Sequence, residues 1–229
     1  MRRILAALAA MAILGGPGAA QAQPMTERTQ KLTLEPKRVK GLLLGYGYDL
    51  AEFSGEVRTR ASSARAVGIF SSDSAKTEFT VASPHRSEPM TAACAGGQSR
   101  TAFAWIEFQR EDLAYICEFA GGPPDASFAL ALSKGGLAAR LYQPQRAAEM
   151  TWNGATLRAR TARIAGSVPF GSGGVLSYVV TRDGEEIAGL VRGALKPTFY
   201  LPPEGSPDRE AAAVLLLALY TFADPADRK

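Results

Sequence analysis

The strongest pattern of apolar and polar positions lies near the C-terminus. Thirteen residues from Ala211 to Ala223 are apolar except for Thr221, and Ser-Pro-Asp-Arg-Glu precedes them. Ala and Leu favour helix, and a helix that has no polar face must be buried on every side. Because a bilayer span needs roughly 20 residues, the pattern predicts a buried core helix at 207–223 and no transmembrane segment in the mature chain.

The ends of this helix have recognisable signals. Ser206 is a suitable N-cap, Pro207 suits the first helical position, and Asp208 and Glu210 complement the positive end of the helix dipole. Asp224-Pro225 ends the helix, because a residue before proline is pushed out of helical geometry.

From Gly41 to Leu201 the pattern changes to short β segments that are separated by turns. The clearest hairpin joins Val175–Arg182 to Glu185–Gly193 through Asp183-Gly184, with Val180 facing Ile187. Asn153-Gly154 predicts another tight turn, between Glu149–Trp152 and Ala155–Ile164. Further strands are predicted at Leu50–Arg60, Ala64–Phe70, Thr77–Ala82, Thr101–Phe108, Leu113–Phe119, Ser127–Leu132, Leu137–Tyr142 and Lys196–Leu201.

About a dozen strands followed by one apolar helix predict a mainly β fold. The expected architecture is a single-domain antiparallel barrel or closed sandwich at 41–229, wrapped around the buried C-terminal helix, because an open sheet this long would leave aggregation-prone edges. A barrel this large has more interior than its own wall fills. Residues 23–40 are polar and are interpreted as a lead-in with one short strand at Lys31–Leu34.

This order of elements resembles the tubby-like barrel plan of tubby C-terminal domains, phospholipid scramblases and LURP-one-related proteins. In that plan a hydrophobic C-terminal helix threads a twelve-stranded barrel. The resemblance covers 42–223 and includes Phe199-Tyr200-Leu201, which leads through prolines into the helix. It carries no diagnostic motif, so it implies a fold and no functional residues.

The N-terminus has the pattern of a signal peptide. Arg2-Arg3 precede an apolar stretch, Ile4–Leu14, and Ala20-Gln21-Ala22 matches a cleavage site. We therefore expect residues 1–22 to be removed and the protein to be exported, to a periplasm or the extracellular space. Loss of the two arginines lowers the formal charge from +4 to +2, which gives no support for nucleic-acid binding.

Export changes the interpretation of the two cysteines. In an oxidising compartment Cys94 and Cys117 are expected to form a disulfide rather than a metal site. Cys117 shares the apolar face of its strand with Leu113, Tyr115 and Phe119, so the bond should be partly buried.

Motifs for catalysis are weak. His85, the single histidine, lies in a loop-like Ser-Pro-His-Arg context without a nucleophile elbow. Asp73-Ser74-Ala75 lacks the second copy that an aspartic protease needs. We expect no catalytic, cofactor or metal residues, although Glu107 and Glu118 interrupt apolar strands.

One candidate binding surface is basic. Arg58 and Arg60 share one strand face, Arg158 and Arg160 share another, and Arg163 lies nearby. If the two strands were neighbours, these arginines would form a stripe for lipid head groups or acidic glycans; the alternative is an ordinary solvated sheet face.

Taken together, the residues favour a non-catalytic exported envelope protein with a binding or structural role, whose partner is anionic lipid or an envelope protein. One alternative is a small periplasmic hydrolase of envelope material. The other is an inhibitor-like module that presents a loop such as Gly166–Gly174.

Overall fold

A computed structural model describes residues 23–40, 45–61, 75–98, 113–132, 146–164, 177–192 and 196–222. Two helices, α1 (Met25–Arg28) and α2 (Arg209–Thr221), flank thirteen strands. The strands are β1 (Gln30–Thr33), β2 (Glu35–Lys37), β3 (Gly45–Leu50), β4 (Phe53–Ala61), β5 (Ala75–Val81), β6 (Met90–Gln98), β7 (Leu113–Ala120), β8 (Ser127–Leu132), β9 (Arg146–Trp152), β10 (Ala155–Thr161), β11 (Ser177–Arg182), β12 (Glu185–Val191) and β13 (Thr198–Leu201).

The strands form one antiparallel sheet that curls into a nearly closed barrel. Each strand from β3 to β13 pairs with its neighbours in chain order, while β2 pairs with β3 and β1 pairs with β13. The mainly β barrel with a C-terminal helix, expected from the sequence, is confirmed.

A single bent segment brings the two ends of the sheet together. Its first half, β1, pairs with β13, and its second half, β2, pairs with β3. Leu34 lies at the bend and is fully buried. The interpretation of 23–40 as a lead-in outside the β domain is therefore wrong. Exposed side chains make this segment polar, but its backbone pairs with strands distant in sequence.

Helix α2 fills the barrel. Every residue from Ala211 to Leu219 is at most 2% exposed, as expected for a helix that is apolar all round. The helix is slightly shorter than the predicted 207–223. Ser206 contributes to its start from a preceding turn, where its Oγ accepts a hydrogen bond from the Asp208 N–H at 3.4 Å. The predicted stop at 224–225 lies outside the described residues.

The two glycine-containing hairpin turns are present, and both residues of each turn have positive φ, as in a type I′ turn. Arg182 faces Glu185 across the second of these turns. The predicted pair of Val180 with Ile187 is wrong, because a bulge after Val180 shifts the register and places Ala188 opposite it.

The polar residues 109–112 between Thr101–Phe108 and Leu113–Phe119 favour a hairpin of these two segments, and this predicted pairing is wrong. Strand β7 pairs with β6 and β8, so both of its edges are occupied by strands other than Thr101–Phe108. The strands predicted at 64–70, 101–108 and 137–142 themselves lie outside the described residues.

Helix α1 covers part of the outer wall. Met25 packs there with Ile164, Val179 and Tyr200 in a small apolar cluster separate from the core. Gly189 is required beneath this cluster, because a Cβ at this position would lie 2.7 Å from the Ile164 side chain and 2.9 Å from that of Met25. The residues that follow Ala22 thus have a fixed position on the barrel.

Candidate functional site

A concave site lies on the outer wall of the barrel, over strands β3 to β5. It is a shallow groove of about 640 Å³. Residues that follow β2 form one side of it and the end of β5 forms the other. The lining residues are Lys37, Arg38, Val39, Gly47, Tyr48, Asp49, Ser54, Gly55, Glu56, Thr80, Ala82 and Pro89.

The groove exists because the sheet is locally irregular. Strands β4 and β5 are paired from Val57–Phe79 onward, and only an isolated bridge joins Ser54 to Ala82 on the other side of Gly55. The buried Tyr48 hydroxyl donates to the Thr80 carbonyl at 2.7 Å. A side chain at position 55 would clash with that carbonyl, since its Cβ would lie 1.9 Å from the oxygen.

A second glycine lets the chain cross over the sheet. Gly47 lies opposite Lys37 on one side and Glu56 on the other. A Cβ on Gly47 would come within 2.9 Å of Val39 Cγ2. The absence of a side chain there allows Val39 to pack directly on β3, which builds the wall of the groove.

The groove carries charges of both signs. Lys37 forms an ion pair with Asp49, and Arg58 forms one with Glu56 at 3.0 Å. Arg38 is exposed and has no ion pair among the described residues. Since each carboxylate has its own cation, the arginine provides an uncompensated positive charge at the rim.

A second cluster of charges surrounds the N-terminal end of α2. The Arg209 side chain is only 2% exposed, and its guanidinium donates to both carboxylate oxygens of Glu52, to the Pro202 carbonyl and to Gln30 Oε1. The hydrogen bond from Arg209 holds the pKa of Glu52 below its usual value. One buried arginine thus ties the helix to β1, to the end of β13 and to the turn after β3.

Arg86 adds a further connection to this end of the helix. Its Nε donates to Glu210 at 2.8 Å, its Nη1 donates to the Gly121 carbonyl at 2.9 Å, and its guanidinium lies 5.3 Å from the Trp152 ring centroid. We call the ion-paired residues at this end the charged collar: Glu52, Arg86, Arg182, Asp208, Arg209 and Glu210.

The C-terminal end of α2 is held by aromatic side chains. The ring centroids of Tyr115 and Phe222 are 5.0 Å apart, and those of Phe199 and Tyr220 are 5.9 Å apart. Burial raises the pKa of Tyr46, and so does the neighbouring Tyr220 hydroxyl. Burial also raises the pKa of Tyr115. We call this set the aromatic collar: Tyr46, Tyr115, Phe199, Tyr220 and Phe222.

The predicted disulfide is present. Cys94 and Cys117 lie directly opposite each other on β6 and β7, and both are 2% exposed. The bond faces the core, where it joins neighbouring strands of the barrel wall. This position indicates a structural role.

The predicted basic stripe is not formed, because strand β4 and strand β10 are separated by five other strands in the sheet. Arg58 pairs with Glu56, Arg158 with Glu149, and Arg160 with Glu186. Arg163 is exposed after β10. Arg60 lies on β4, and its side chain is not among those described. The three ion-paired arginines therefore lie on two separate parts of the barrel wall.

The other candidates that the structure describes, His85 and Glu118, lie on different elements of the barrel. His85 is exposed in the turn between β5 and β6. Glu118 is exposed on β7, while Glu107, Asp73 and the loop 166–174 lie outside the described residues. Within the described ranges, no group of three or more His, Cys, Asp or Glu side chains is positioned to hold a metal ion.

The groove was missed by sequence reasoning. Its cations belong to the segment interpreted as a lead-in, and its floor depends on two glycines that lie on adjacent strands. The available signal was the alternation of Tyr46, Tyr48 and Leu50 with small or polar residues, which indicates a strand with one buried face.

Comparison with known proteins gives no relative: no family model, no curated protein and no solved structure matches the chain. In the part of the chain that the structure describes, no helix has the length and apolar character needed to cross a membrane.

Proposed function

We propose that the mature chain is an exported, non-catalytic binding protein of the cell envelope, with a lipid or envelope protein as its ligand on the outside of the barrel. The observation that carries this proposal is the packing of α2. Because Ala211–Leu219 are almost fully buried against the wall, the helix occupies the space in which other large barrels hold a ligand. The concave surface that we identified lies outside.

Two observations support the export part of this proposal. The disulfide is compatible with an exported protein. The Arg28 guanidinium donates to the Gln23 carbonyl at 3.0 Å, which anchors the first residue of the proposed mature chain.

The order of elements also supports a relationship to the tubby-like barrel plan. We propose this relationship at the level of the fold alone, and it transfers no site residue or ligand to this chain.

A hydrolase remains the second candidate, because Asp49 and Glu56 both line the groove. Hydrolysis by paired carboxylates needs one acid and one base in different environments. Here both side chains are more than a quarter exposed, and each is ion-paired with a neighbouring cation. This arrangement favours recognition of charge over proton transfer.

The proposal is tested with the purified chain 23–229 and washed envelope membranes of a Gram-negative bacterium. We expect the protein to sediment with the membranes and to release no soluble product from them. Release of soluble fragments that stops in Asp49→Asn or Glu56→Gln would establish the hydrolase instead. Failure to sediment with membranes would contradict the proposal.

A further inference from the structure

We infer that the groove binds a zwitterionic group, one that carries a primary ammonium together with a phosphate or carboxylate, of which phosphoethanolamine is the lipid example. This inference rests on the proposed function and specifies the ligand of the same site. The basis is the distribution of charge along the groove.

The cationic side of the groove suits the anionic half of such a ligand. Arg38 is exposed and has no carboxylate partner in the described part of the chain, and Lys37 lies next to it. Lys40 adds an exposed charge two residues further on. A guanidinium binds phosphate or carboxylate through two parallel hydrogen bonds, so Arg38 is the expected primary contact.

The floor of the groove suits the ammonium half. Asp49 and Glu56 lie on adjacent antiparallel strands, and both side chains face outward. A carboxylate accepts about four hydrogen bonds, so each can bind a ligand ammonium in addition to its own cation. Ser54 and Thr80 offer hydroxyl groups on the same surface.

Ligands of one charge sign fit this arrangement less well. A purely anionic group bound at Arg38 would also approach the two carboxylates, and a purely cationic group would approach Lys37 and Arg38. Lys37 and Glu56 flank Gly47 and are two strands apart, a Cα separation of roughly 10 Å. Their side chains therefore place opposite charges within the reach of one small zwitterion.

A quaternary ammonium is disfavoured for a different reason. Such groups are recognised by aromatic faces, and Tyr48 is the one aromatic residue among the described lining residues. Its side chain is 1% exposed and its hydroxyl bonds to the sheet. The groove should therefore distinguish phosphoethanolamine from phosphocholine.

The test uses the chain 23–229 with three kinds of vesicle: phosphatidylcholine alone, phosphatidylcholine with phosphatidylethanolamine, and phosphatidylcholine with phosphatidylglycerol. Soluble phosphoethanolamine is titrated in parallel by calorimetry. We expect tightest binding to the ethanolamine-containing vesicles. Binding of soluble phosphoethanolamine without vesicle binding would identify a free zwitterion as the source and would still support the site.

Three variants locate the binding. Arg38→Ala should weaken it by about tenfold or more, the loss of a charge-assisted contact. Glu56→Gln should abolish the preference for ethanolamine over glycerol headgroups. Arg163→Ala removes an exposed arginine far from the groove in sequence and should change neither the affinity nor the headgroup preference. Thermal unfolding checks that all three variants fold.

Tighter binding to phosphatidylglycerol than to phosphatidylethanolamine would overturn the inference, as would equal losses in Arg38→Ala and Arg163→Ala. If washed envelope membranes still bind the protein in either case, the proposed function stands and only the ligand class is wrong. If the protein binds neither membranes nor soluble phosphoethanolamine, both fail.

Discussion

The two ends of the central helix are held to the barrel by different chemistry. At the N-terminal end the charged collar joins the helix to the wall through hydrogen-bonded ion pairs, the most buried of which is Arg209 with Glu52. At the C-terminal end the aromatic collar packs rings around Tyr220 and Phe222. The contacts at one end are specific in direction, whereas those at the other depend mainly on burial.

The stabilising contacts at the two ends should therefore be lost at opposite extremes of pH. The hydrogen bond from Arg209 lowers the pKa of Glu52 in the folded state. Its contribution is fully present above the unfolded value, about 4.3, and is lost as the pH falls through the folded value. Burial raises the pKa of Tyr46 and Tyr115. Their contribution is present below the unfolded value, about 10, and is lost as the pH rises above it.

The largest effect among the collar variants is expected for Glu52→Gln. Arg209 would remain charged and nearly fully buried without its carboxylate, so the free energy of unfolding should fall by about 3 kcal/mol at neutral pH. Denaturant unfolding measures it. The difference from the unmodified protein should shrink in acid, where Glu52 itself becomes protonated. Exposed Glu204→Gln is the control, and a difference that persists unchanged in acid would contradict the account.

A smaller loss, about 2 kcal/mol, is expected for Arg86→Ala, which removes the contacts with Glu210, the Gly121 carbonyl and Trp152. The loss should be smaller than for Glu52→Gln because the ion-paired side chains are 19% and 15% exposed. Denaturant unfolding of this variant, compared with that of the control Arg163→Ala, tests this. If the variant were as stable as the control, the contacts of Arg86 would not contribute to holding the helix.

At the other end, Tyr46→Phe should cost about 1 kcal/mol at neutral pH, because it removes the hydroxyl that interacts with Tyr220 and leaves the ring in place. The main effect of this substitution is expected on stability at alkaline pH. The loss of stability above about pH 10 should be less steep in the variant, since one fewer tyrosine ionises on unfolding. Unfolding measured from pH 8 to 11 decides it. An identical pH dependence would show that Tyr46 does not make this contribution.

The smallest effect is expected on the outer wall. Arg160 and Glu186 are 3.6 Å apart and largely exposed, so Arg160→Ala should change stability by less than about 0.5 kcal/mol. Thermal unfolding at low and high salt measures this. A loss above about 1 kcal/mol would mean that surface pairs, and not only the collars, hold the barrel together.

Much of the fold could be predicted because its signals are local. A run of thirteen residues, apolar except for Thr221, identifies the core helix, and Asn153-Gly154 and Asp183-Gly184 identify hairpin turns whose positive φ few other residues tolerate. The side-chain alternation of β7 predicted that Cys117 faces inward, where Cys94 meets it.

Other parts depend on pairing between distant segments. Apart from Thr91, strand β6 has no β-branched or aromatic residue, and the disulfide and its neighbours place it in the sheet. The bent segment that contains β1 and β2 is polar by composition, and its strands pair with β13 and β3, which are distant from each other in sequence. The register between β11 and β12 depends on a bulge that no residue type in the sequence indicates.

The candidate site was the least predictable part. The arginines chosen from sequence lie on strands that the topology separates, since spacing along a chain does not state which strands are neighbours. The groove depends on Gly47 and Gly55, and the need for glycine at each appears only when Val39 and the Thr80 carbonyl are seen against them.

The central claim is that α2 is the core of the barrel, and truncation tests it most directly. A chain ending at Pro203 lacks the helix, whereas the chain 23–229 keeps it and is the control. Burial of the four leucines and the valine of the helix, at about 2 kcal/mol each, is comparable with the whole stability of a typical domain. We predict a cooperative thermal transition for the control and none for the shorter chain. A soluble, cooperatively unfolding protein that ends at Pro203 would contradict the account.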